Sequence, residues 1–128
     1  MDIEIHLFDR LEESTRDAVD PLNGMLVVEA LPHEQTIVAV VVITNASEEL
    51  NGESVEFWGR CVRAGTHEEP TNPPELWIRV DFSAPDEESY RFPVPVVVDV
   101  PEAGKYEVAI YAVTSEVSRV PLEVTLAG

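Results

Sequence analysis

Apolar and polar residues alternate with a period of two through most of this chain, which is the signature of half-buried β-strands. The clearest stretch is residues 104–126. Tyr106, Val108, Ile110 and Ala112 share one face of a first run, and Val120, Leu122, Val124 and Leu126 share one face of a second. Lys105, Glu107, Glu123 and Thr125 fall on the opposite faces, and a short polar turn separates the runs, so the pattern predicts a closing β-hairpin. Upstream, residues 3–8 and 25–30 read as strands, with a break at residues 31–34. Residues 36–44 are almost unbroken Val and Ile, which predicts a central strand or one buried on both faces. In residues 54–63, Val55, Phe57, Gly59 and Cys61 share one face, and Glu56, Trp58, Arg60 and Val62 the other.

Residues 75–82 and 90–98 complete the set. Pro93 and Pro95 lie two apart, so their missing N–H groups fall on the same lateral side. That is tolerated at an unpaired edge or a bulge, not in the middle of a sheet. Residues 9–24 read as a long polar connection, with room for one or two helical turns between Leu11 and Val19 on a thin apolar stripe. It ends in Asn23-Gly24, a turn signal. About eight short, mostly antiparallel strands with turns between them predict an all-β sandwich, in a single domain covering residues 1–128.

Composition narrows the function classes. The formal net charge is −17, and a field of that sign opposes contact with a nucleic-acid backbone or an anionic membrane surface. It favours a basic protein partner. The longest apolar run, residues 37–43, is strand-sized and too short to span a bilayer. The first residues carry neither a basic segment nor an apolar one of the kind a secretory leader has. With a single cysteine, no internal disulfide forms, and the expectation is a cytoplasmic protein.

The chemistry is sparse. There is no glycine-rich phosphate loop, nucleophile elbow or pair of histidines at helical spacing. His6, His33 and His67 are scattered, and Cys61 reads as a core residue rather than a nucleophile. His67, Glu68 and Glu69 would meet His33 and Glu34 in a metal site only if both loops lay at one end; solvated loop residues are the commoner outcome. Trp58 and Trp77 form an exposed aromatic patch or seal the interior, and the pattern permits both. No catalytic residue, cofactor or metal ligand is expected, and the chain is not read as an enzyme.

If successive strands alternate in direction, their connections alternate between two ends. One end then gathers Glu12, Glu13, Glu48, Glu49, Asp86, Glu87 and Glu88. These seven are the expected partner-binding residues. The runs favour Glu over Asp and lack the regular acidic spacing of a calcium loop. The expected function is a non-catalytic acidic interaction module that binds a protein through this acidic end or an exposed strand edge. The alternative is an acidic inhibitor or nucleic-acid mimic that occupies a basic groove.

Gly104, then Tyr106, then the inward Val108 resembles the tyrosine corner of immunoglobulin-like sandwiches, with Val108 where antibody domains carry their second cysteine. Together with the Gly24 turn before Met25, the Leu31-Pro32-His33 break, the valine-rich strand and the Val120-Pro121-Leu122 hairpin, this resembles a family of small bacterial immunoglobulin-like β-sandwich proteins of unknown function. The resemblance implies a fold and carries over no binding or catalytic residues.

Overall fold

The computed structural model describes residues 2–45, 52–68, 70, 76–82 and 89–128. The chain is all-β, and its strands form two sheets. They are β1 (Asp2–Leu11), β2 (Ala18–Pro21), β3 (Met25–Val28), β4 (His33–Thr44), β5 (Ser54–Arg63), β6 (Ile78–Asp81), β7 (Ser89–Val100), β8 (Gly104–Ala112) and β9 (Ser115–Leu126). One sheet has the order β2-β1-β4-β7, the other β3-β9-β8-β5-β6. Every pairing is antiparallel except β3 on β9.

The alternation explains the core. Leu7, Val41, Ile43, Val94, Val96 and Val98 of the first sheet meet Phe57, Val108, Ile110, Leu122 and Val124 of the second. The rings of Phe57 on β5 and Phe92 on β7 lie 4.7 Å apart across the interface. No polar or charged residue is buried among the described residues. Val108 is fully buried in this core. The valine-rich β4 meets both expectations: it pairs on both sides, and Val38 and Val40, which point away from the sandwich interior, are buried too. β7 is an edge strand, as Pro93 and Pro95 require.

Three readings are corrected. Residues 9–24 form no helix; their one helix-like bond, from the Arg16 N–H to the Glu12 carbonyl (2.8 Å), is a single turn inside a hairpin. β1 runs on to Leu11, and a turn closed by the Glu12 N–H on the Asp17 carbonyl (2.7 Å) sends β2 back along it. The thin apolar stripe had too little to bury as a helix, whereas a hairpin satisfies its backbone on β1. The break before β4 is confined to residues 29–32, so His33 and Glu34 pair with Val100 and Asp99 inside the ladder. β9 starts at Ser115 instead of Arg119, because the turn from β8 needs only Val113 and Thr114 and a bulge opposite Ile110 and Tyr111 absorbs the extra residue.

Candidate functional site

Of the seven acidic residues expected to converge, the structure describes two, Glu12 and Glu13. Glu12 and Glu13 occupy the β1–β2 turn, beside the paired ends Leu11 and Ala18. Glu48, Glu49, Asp86, Glu87 and Glu88 lie outside the described residues. The strand ends nearest to them in sequence, Thr44 and Ser89, pair with one another, and Thr44 also pairs with Asp2. Asp2 and Leu11 are the two ends of β1, roughly 30 Å apart at about 3.3 Å per residue. The alternation breaks at β2, a strand too short to read in the sequence. Glu12 is also partly neutralised, since Arg10 bonds its carboxylate at 3.2 Å and stands 3.5 Å from Asp20.

The remaining chemistry-bearing side chains are dispersed. His6 is exposed beside Glu4, whereas His33 bonds the Gln35 side chain at 2.6 Å and Gln35 in turn donates to Asp9. No group of three or more metal-ligating side chains forms among the described residues. Cys61 faces the core opposite Val108, and burial pushes its thiol up to about 12, so at neutral pH it is a protonated, unreactive group.

The outward face of the β5-β8-β9 ladder is closed rather than open. Trp58 is buried and stacks on Tyr111, centroids 4.3 Å apart. Arg60 donates to the Tyr111 hydroxyl at 2.9 Å and to the Glu68 carbonyl. Arg119 bonds Glu107, Glu116 and the Thr66 carbonyl. Glu107 also accepts from the Gly65 N–H at 2.8 Å. That backbone bond, with Arg119 beside it, holds the Glu107 carboxyl below its ordinary range. The segment after β5 is thus tied across the sheet. Trp58 offers no aromatic patch, whereas Trp77 and Leu76, just before β6, remain well exposed.

Among the described residues, the open element is the edge of β7. The other edge strands, β2, β3 and β6, have four residues each, and β7 has twelve. Its register on β4 is continuous from Val100 to Ser89. The prolines therefore put the backbone groups of Val97 and Asp99 on the same free side that Pro93 and Pro95 face. Pairing by another strand is obstructed at the prolines and permitted beyond them. That permitted half is acidic, with Asp99 and Glu34 side by side across β7 and β4. A sequence scan finds the prolines but not the length of the free edge, which depends on strand order.

Comparison with known proteins finds no matching family model and no matching curated protein.

Proposed function

We propose that this chain is an immunoglobulin-like, non-catalytic interaction module that takes an extended basic segment of a partner protein along the free edge of β7. The order β9-β8-β5-β6 parallels the G-F-C-C′ sheet of immunoglobulin variable domains, and β1-β4-β7 parallels A-B-E. The Tyr106 hydroxyl, which donates to the Glu102 carbonyl at 2.7 Å, supports the same reading. The observation that carries the function is the twelve-residue edge whose prolines guard only one half. Main-chain pairing supplies affinity in strand addition, and flanking side chains supply selectivity. Here those flanks are Asp99 and Glu34, in a chain of net charge −17, so the fitting segment carries Lys or Arg.

The test compares capture from cell extract by the native chain, Val97→Pro and Asp99→Lys, each checked for folding by circular dichroism. Val97→Pro removes one free N–H on the open side and leaves the ladder to β4 intact. Both variants are expected to lose the captured protein, and salt is expected to elute it from the native chain. A protein retained equally by Val97→Pro overturns the edge reading. Displacement by duplex DNA without sensitivity to Val97→Pro points instead to the nucleic-acid mimic.

A further inference from the structure

We propose that the cavity between the β1–β2 turn and the outward face of β4 and β7 binds a small monocarboxylate with an apolar body. The cavity measures about 350 Å³, and its lining includes Arg16 and Asp17 from the turn, Ala18 from β2, Val40 from β4, and Arg91 and Pro93 from β7.

The cations of this chain are few, eight Lys and Arg against 25 Asp and Glu, and most of the arginines are engaged. Arg10, Arg63, Arg79 and Arg119 pair with carboxylates, and Arg60 is bonded to Tyr111 and Glu68. Arg16 and Arg91 are exposed residues with no ion pair among the described residues, and both stand at the mouth of this one cavity. Two unpaired guanidiniums in a field this negative would be expected to attract neighbouring carboxylates. Their being left free at the same opening is the asymmetry that points to a ligand.

The backbone of the turn fixes where Arg16 stands. Arg16 sits at φ 63°, in the left-handed region that glycine or asparagine fills at low cost. Its N–H bonds the Glu12 carbonyl at 2.8 Å and closes the turn. Asp17 lines the same cavity and leaves the three charged side chains with a net charge of about +1, which suits a monoanion better than a phosphate dianion. Guanidinium groups bind carboxylates through paired N–H donors, while Val40, Ala18 and Pro93 supply an apolar wall for a ring or short chain.

The experiment is a titration of the full, 15N-labelled chain with sodium benzoate at constant ionic strength, followed by NMR. Saturable shifts are expected at the amides of Ala18, Val40 and Arg91. Benzamide, which keeps the ring and loses the charge, and inorganic phosphate, which keeps charge and loses the ring, are each expected to bind about tenfold more weakly or less. Arg16→Gly retains the left-handed backbone, and Arg91→Gln retains much of the side-chain length; each is expected to weaken benzoate binding about tenfold. Shifts that never saturate, equal binding of benzamide or phosphate, or unchanged affinity in the Arg16→Gly, Arg91→Gln double variant overturns the proposal.

Discussion

The indole Nε1 of Trp58 donates to the carbonyl of Val113 at 2.7 Å, joining a buried ring on β5 to the exposed tip of the β8–β9 turn. Val113 is held from its other side as well, because its N–H donates to the Glu56 carbonyl at 2.9 Å. The two bonds fix a residue whose φ is 57°, a conformation that a β-branched side chain strongly disfavours. The side chain itself is 60% exposed and contributes little packing in return. Trp58, stacked on Tyr111, thus over-determines the turn from inside the sheet.

Val113→Gly is therefore expected to stabilise the protein. Relief of the left-handed strain is worth roughly 1–2 kcal/mol. The entropy of the glycine in the unfolded chain takes back about 0.5–1 kcal/mol. The expected outcome is a gain of up to about 1 kcal/mol in a denaturant melt, with the slope unchanged. A loss of stability would mean that the turn is not held as described.

Tyr106→Phe is expected to destabilise by about 0.5–1.5 kcal/mol, the net worth of a part-buried hydrogen bond whose acceptor lies on exposed Glu102. Its hydroxyl bonds the Glu102 carbonyl, the ring is buried, and the Arg63 guanidinium lies over it at 5.6 Å. The phenyl variant keeps the ring and removes only the bond. A variant as stable as the native chain would show that the corner hydrogen bond is dispensable.

Gly59 faces the core of β5 where no room is left for a side chain. A Cβ there would stand 2.8 Å from Val96 Cγ2 and 2.9 Å from Ile110 Cδ1, one from each sheet. Gly59→Ala is expected to cost about 1–3 kcal/mol through overpacking. Pairing it with Val96→Ala, which removes one of the two clashes, is expected to recover part of the loss; a double-mutant cycle measures this coupling.

What could be read in advance was what local chemistry dictates. Pro93 and Pro95 announced an edge because a missing donor is a property of the residue itself. Tyr106, four residues after Glu102, reached its acceptor within one turn. The alternating runs became strands because each had a face to bury. Ala18-Val19-Asp20-Pro21 carried no such pattern, and β2 exists because β1 offers it a ladder. That unread strand holds the Glu12–Glu13 turn at the Leu11 end of β1. Trp58 was ambiguous for a similar reason: its outward position on β5 is buried where Tyr111 of β8 stacks on it, a neighbour that only strand pairing supplies. The Arg16 and Arg91 cavity joins segments that only strand order brings together.

The last prediction concerns pH and Cys61. Burial raises this thiol from 9.0 to about 12. In the unfolded chain it ionises as the pH passes 9, while in the fold it keeps its proton until about 12. The unfolded state alone gains from ionisation in that interval. The contribution of Cys61 to stability is therefore complete below about pH 9 and is lost as the pH rises through the folded value. Cys61→Ala lacks the group, so the stability difference between the native chain and this variant should shrink from pH 9 to 12 and stay constant below it. The same burial predicts slow alkylation: iodoacetamide at pH 8 should modify the chain readily in urea and hardly at all when folded. Reductant should leave the melting temperature unchanged, since the chain's only cysteine has no partner within it. Rapid alkylation of the folded protein, or a difference that stays constant across the alkaline range, would place Cys61 outside the core.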